Sequence, residues 1–87
     1  MPRITTFGFS ATTPPPNATI VLDCRPLSEM AVYSEEGDAL LQRALEHVKQ
    51  NPDAVVAFGC HMGQIRSVRL AKRLGRILGV QPEKYRK

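Results

Sequence analysis

A chain of 87 residues, 43% hydrophobic and 23% charged, has the composition of one small globular domain rather than a disordered segment, and at that size it buries about 60–65% of the surface its unfolded form exposes. No apolar run approaches the roughly 20 residues that span a bilayer, the start Met1-Pro2-Arg3-Ile4 lacks the apolar core of a signal peptide, and two cysteines, Cys24 and Cys60, are too few for a disulfide framework, so a single cytoplasmic domain over 1–87 with no membrane partner is expected. The net charge of +4 is unevenly spread: residues 1–63 hold four Lys/Arg and seven Asp/Glu, whereas 64–87 hold eight Lys/Arg and only Glu83, which makes one end attractive to polyanions.

In chain order, Ile4-Thr5-Thr6-Phe7-Gly8-Phe9 alternates apolar and polar residues, the period of a half-buried strand. Ala11 to Asn17 contains three consecutive prolines and reads as a loop. Thr19-Ile20-Val21-Leu22 is a short continuous apolar run, the pattern of a buried strand ending at Asp23. Pro26 to Ser34 has no period. Leu40, Leu41, Ala44, Leu45 and Val48 recur at helical spacing and predict a helix over 35–50, with Ser34 as N-cap, Glu35 and Glu36 suited to its positive end, and Asn51-Pro52 as its stop. Ala54-Val55-Val56-Ala57-Phe58 predicts a third strand. A second helix over 65–78 carries Val68, Ala71, Leu74 and Leu78 on one stripe and stops at Gly79. The order strand, strand, helix, strand, helix predicts an α/β fold: a small, mostly parallel sheet of three or four strands with flanking helices.

Ligands of such sheets bind beyond the carboxyl ends of the strands. Two segments meet there, Asp23-Cys24-Arg25 and the run Cys60-His61-Met62-Gly63-Gln64-Ile65-Arg66-Ser67. The second has the form Cys-x-x-Gly-x-x-Arg-Ser between a strand and a helix, the pattern of a phosphatase-like phosphate loop. Successive backbone N–H groups and the helix N-terminus make an anion nest, Gly63 allows close approach, and the planar fork of Arg66 suits two phosphate oxygens. Cys60 at the base of that cup sits where the field favours a thiolate, and Ser67 either assists a leaving thiolate or caps the helix. His61, Met62 and Ile65 fall inside the run, and a solvent-facing His61 is as consistent with it as a ligand-facing one. His47 is isolated, so neither a metal nor another cofactor is indicated. Cys24 reads as a small packed hydrophobe. Arg69, Lys72, Arg73 and Arg76 share one side of the second helix and form a ridge able to track an RNA backbone; low aromatic content argues against base stacking.

Four stretches, Ile4-Thr5-Thr6-Phe7-Gly8-Phe9, Ile20-Val21-Leu22-Asp23-Cys24-Arg25, Ala57-Phe58-Gly59-Cys60 with Gly63-Gln64, and Arg66-Ser67-Val68 with the helix to Leu78, together resemble the C-terminal domain of the RapZ (YvcJ) family. The chain differs from the family's loop at Met62 and Ile65, and it lacks a Gly-rich Lys-Ser/Thr nucleotide loop, so the resemblance implies a stand-alone version. It also implies a regulatory domain that binds a sugar phosphate and RNA and self-associates, with Cys60, Gly63, Gln64, Arg66 and Ser67 on the ligand and Asp23 and Arg25 beside them. The alternatives are a cysteine-dependent phosphatase or rhodanese-like enzyme, with Cys60 as nucleophile, Arg66 as transition-state clamp and Asp23 as general acid, and a protein-interaction domain with a vestigial loop. Arg25 next to Asp23 favours an ionised carboxylate, which suits an acid poorly.

Overall fold

The computed structural model describes residues 1–27, 35–62 and 65–85, arranged as β1 (Arg3–Gly8), β2 (Ile20–Asp23), α1 (Glu35–Gln50), β3 (Val55–Cys60), α2 (Arg66–Leu78) and β4 (Glu83–Lys84). The strands form one all-parallel sheet in the order β2-β3-β1-β4, flanked by the two helices. This is the α/β fold expected. β3 pairs with β1 from Arg3 opposite Val55 to Gly8 opposite Cys60, and with β2 from Ile20 opposite Val56 to Asp23 opposite Gly59. The ladder runs one step further, because the Cys24 amide donates to the Gly59 carbonyl at 2.6 Å. That bond sets Cys24 in register with Cys60. All strands being parallel, Gly8, Asp23 and Cys60 end on one edge of the sheet.

Even-numbered residues of β1, β2 and β3 carry the core. Ile4, Leu22, Val56, Phe58 and Cys60 pack against Leu41 and Ala44 of α1 and Leu70, Ala71 and Leu74 of α2 in one buried cluster. Each leucine taken fully out of water there contributes roughly 1.5–3 kcal/mol relative to an exposed one. Both helices therefore lie on one side of the sheet. Right-handed crossovers are the rule for parallel strands, and the link from β1 past β3 to β2 runs opposite to the helical links, so it belongs on the other face. Phe9 at its start lies edge-on to Phe7, and Pro15 within it is buried. This covering explains why Ile4 to Gly8 are all buried despite the alternation of apolar and polar residues in β1. The Oγ1 of Thr5, on that second face, has no hydrogen-bond partner among the described residues.

Three further expectations shift. The run 19–22 reads as a buried strand, but β2 is at the sheet's edge and Val21 is 38% exposed. The apolar stripe of α2 centres on Leu70, Ala71 and Leu74, with Val68 and Leu78 only half-buried. β3 extends two residues past Phe58, through Gly59 and Cys60. β4 has two exposed charged residues and no apolar signature to betray it. The ends of α2 follow local chemistry: Gly79 takes the left-handed conformation at φ 70° and donates to the Gly75 carbonyl. In α1, Glu35, Glu36 and Asp38 occupy the first turn and His47 and Lys49 the last, matching the dipole at both ends. Ser34, its expected N-cap, lies outside the described residues.

Candidate functional site

At the carboxyl edge, Cys60 closes β3 and Ile65 precedes the first turn of α2. The structure brings five of the expected residues to this edge: Asp23, Arg25, Cys60, Arg66 and Ser67. Gly63 and Gln64 lie outside the described residues. The side chains of His61, Met62 and Ile65 are exposed. His61 and Met62 are tied to the start of the 9–19 link: the Ser10 amide and hydroxyl donate to the His61 carbonyl at 3.0 and 2.8 Å, and the hydroxyl also lies 3.5 Å from the Met62 sulfur. Ser10 carried no signal in the sequence; only the register of β1 against β3 brings it there.

Asp23 and Arg25 form a closed unit. The Arg25 Nε donates to both carboxylate oxygens at 3.0 and 3.1 Å, Nη2 donates to Oδ2 at 2.7 Å, and the Arg25 amide donates to Oδ1 at 2.9 Å. The guanidinium lies 3.8 Å from the centroid of the Phe9 ring. The Arg25 side chain, foremost by its hydrogen bonds, holds the Asp23 carboxyl below its ordinary value against a smaller opposing effect of burial. A folded value below the unfolded one gives stability that is present above about pH 4 and is lost as pH falls through the folded value. The pair is half-exposed, and screening leaves it worth about 0.5 kcal/mol. Asp23→Asn is therefore expected to lower the unfolding free energy by about that amount at neutral pH and by progressively less as the pH falls below about 4, as read by urea titration across that range.

Arg66 reaches back across the edge. Its Nη1 donates to the carbonyls of Arg25 at 2.9 Å and Leu27 at 2.8 Å. The fork expected to serve a phosphate alone thus also braces the turn after β2 to α2, while Nε and Nη2 make no hydrogen bond among the described residues. Ser67 was expected as a possible helix cap. Instead it is buried in the first turn, with its Oγ 3.2 Å from the Cys60 sulfur, and Ile65 at the N-cap supplies no side-chain acceptor. Among the described residues no side chain caps the first-turn amides of α2, and a hydroxyl beside Cys60 can donate to its thiolate.

Cys24 is fully buried, and burial foremost, with Cys60 and Asp23 adding and Arg66 opposing, pushes its thiol up to about 12. Alkylation by iodoacetamide at neutral pH is expected to label Cys60 well before Cys24. Peptide mass spectrometry showing Cys24 labelled first would contradict this, phosphate-free buffer excluding protection of Cys60 by a bound anion.

The cationic ridge is divided. Arg73 Nη2 is 2.9 Å from Asp38 Oδ1 on α1, so Arg73 turns toward the helix–helix side, while Lys72 and Arg76 face the other way. There they line a groove of about 610 Å³ with Gly75 and the segment 79–82. A second concavity of about 350 Å³ adjoins it, lined by Thr6, Val68, Lys72 and the segment 81–84. Neither includes Cys60 or Arg66. Among the described residues no cluster of three His, Cys, Asp or Glu gathers as a metal site, and no helix is long and apolar enough to cross a membrane. No protein-family model matches the chain, and no curated protein matches it either.

Proposed function

We propose that this chain is an anion-binding regulatory domain of the RapZ C-terminal type, which takes a sugar phosphate at the Cys60–Ser67 end of β3 and RNA along the exposed cations of α2, and which self-associates. The observation that carries the reading is Arg66. One nitrogen is fixed on the carbonyls of Arg25 and Leu27, and Arg66 itself opens the first turn of α2, where the N-cap residue Ile65 makes no side-chain cap. An anion placed there meets a bidentate donor already ordered by the fold, together with backbone N–H groups at the positive end of a helix. Ordering before binding lowers the entropy lost on binding.

Asp23 favours binding over hydrolysis. A phosphatase needs a protonated carboxyl to release the leaving oxygen, and the carboxylate of Asp23 is saturated by Arg25 and kept ionised. Calorimetric titration with inorganic phosphate and a hexosamine phosphate tests the reading. Wild type binds both. Arg66→Ala is expected to lose about tenfold or more in affinity, the loss of one charge-assisted contact, and Arg66→Lys to recover only part of it. Equal binding by wild type and Arg66→Ala refutes the site, with thermal melts controlling for the lost brace. Turnover of p-nitrophenyl phosphate that disappears in Cys60→Ser would instead establish the phosphatase.

A further inference from the structure

Two cysteines face each other where the sheet ends. Cys24 is the first residue past β2 and Cys60 the last of β3, and the Cys24 amide bond to Gly59 holds them in register on adjacent parallel strands. Both lie on the face that carries the helices, in one buried cluster. Neighbouring strands are about 4.8 Å apart, which lies within the Cα separation of about 4.4–6.8 Å that a disulfide accepts. The Cβ atoms must close to about 3.8 Å, and a pair at the strand tips can make that shift more easily than one held in mid-ladder. Their surroundings differ. Ser67 places its hydroxyl 3.2 Å from the Cys60 sulfur, whereas the Cys24 sulfur has a backbone carbonyl, that of Leu22, at 3.8 Å. A hydroxyl can donate to a thiolate and a carbonyl cannot.

We propose that Cys24 and Cys60 form a reversible redox pair, in which a peroxide oxidises Cys60 first and Cys24 then closes a disulfide across β2 and β3. In the first step the Cys60 thiolate attacks one oxygen of hydrogen peroxide. An S–O bond forms, the O–O bond breaks, and hydroxide leaves, giving the sulfenic acid. In the second, the Cys24 sulfur attacks the Cys60 sulfur, the S–O bond breaks, and the departing oxygen takes the Cys24 proton and leaves as water. The peroxide is reduced and two thiols are oxidised to one disulfide. The sequence assigns Cys24 a packing role only; the register adds a chemical one. The proposal does not depend on phosphate binding, but the bond would pull the Cys60 sulfur away from Ser67 and so act on the same loop.

The test uses the full chain, reduced, desalted and treated with hydrogen peroxide. Intact mass under non-reducing conditions is expected to show a monomer lighter by two hydrogens, restored by dithiothreitol, with one cross-linked fragment containing both cysteines. Cys24→Ser is expected to show no loss of two hydrogens and to accumulate an added oxygen on Cys60, trapped by dimedone. In Cys60→Ser the Cys24 thiol stays unmodified over the same time. Closure is expected to be at least about tenfold faster in the folded chain than in urea, because the fold holds the sulfurs together. Unchanged mass in wild type, oxygen addition without a cross-link, a bond formed only between two chains, or equal closure rates in folded and unfolded protein would each overturn the proposal.

Discussion

Replacing Gly59 by alanine is expected to cost about 3 kcal/mol, at the upper end of what overpacking a tight core costs. A Cβ at Gly59 would overlap the Phe7 ring and stand 2.6 Å from Phe9 Cε2, closer than real Cβ contacts come. The neighbours cannot easily yield. Phe7 is fully buried, Gly59 lies in the middle strand pair of the sheet, and the Phe9 ring is held edge-on to Phe7 from one side and beneath the Arg25 guanidinium from the other. A chain of 87 residues has a total stability of only about 4–13 kcal/mol, so the melting temperature is expected to fall by on the order of 15 °C. Gly79→Ala is the calibrating control. It has φ 70° but nothing within 4 Å of an added Cβ, so only backbone strain acts there, at about 1 kcal/mol. Shrinking Phe9 to leucine in the Gly59→Ala background is expected to return part of the loss. Thermal melts and urea titrations of the four proteins decide it. A Gly59→Ala loss no larger than that of Gly79→Ala would mean that the rings move aside at little cost.

Gly59 also shows what the sequence can and cannot reveal about the site. The elements were legible because periodicity reports burial directly: the helix at 35–50 and the strand leading into Cys60 both follow from where apolar residues recur. The interval from Cys60 to Arg66 was legible as a spacing, but Gly63 and Gln64 within it lie outside the described residues. What spacing cannot convey is which strand ends lie side by side. The placement of β1 between β3 and β4, against chain order, brings Ser10 to the His61 carbonyl and Phe9 under Arg25. Nothing local to Ser10 or Phe9 indicates either contact. Arg66 was legible as a cation at a helix start but not as a brace, because the carbonyls of Arg25 and Leu27 that it holds belong to a turn about forty residues earlier. The alternation in β1 misled for the same reason: a covering segment with no secondary structure of its own leaves no trace in the strand beneath it. The ridge of α2 read as uniform because helical spacing cannot tell that Asp38 waits on α1 for one of its members.

That division of the ridge shapes the expected RNA behaviour. Lys72 and Arg76 are exposed along the larger groove, and Lys84 flanks the adjoining one. Arg73 is committed to Asp38, and Arg69 is engaged within the protein. Three cations rather than four are then free to meet phosphates along this path. Each contact with a single strand contributes about 0.7 of a counterion to the salt dependence, so raising salt from about 50 to about 200 mM is expected to weaken binding about 20-fold, with little dependence on sequence. Reversing both Lys72 and Arg76 to Glu is expected to lower affinity about tenfold or more at the lower salt and to reduce the slope of log affinity against log salt by about 1.4. Binding of inorganic phosphate near Arg66 should change little, because both substitutions lie more than a full turn further along α2. Arg73→Glu is a poorer probe, since it would face Asp38 with a like charge and weaken the helix pair whatever the RNA does. Fluorescence anisotropy with short single-stranded RNAs at several salt concentrations measures all of these quantities. No binding at low salt would remove RNA from the proposed function. Binding with the expected slope that ignores Lys72→Glu/Arg76→Glu would move the path off this groove, because two lost contacts out of three cannot leave a counterion-driven affinity unchanged.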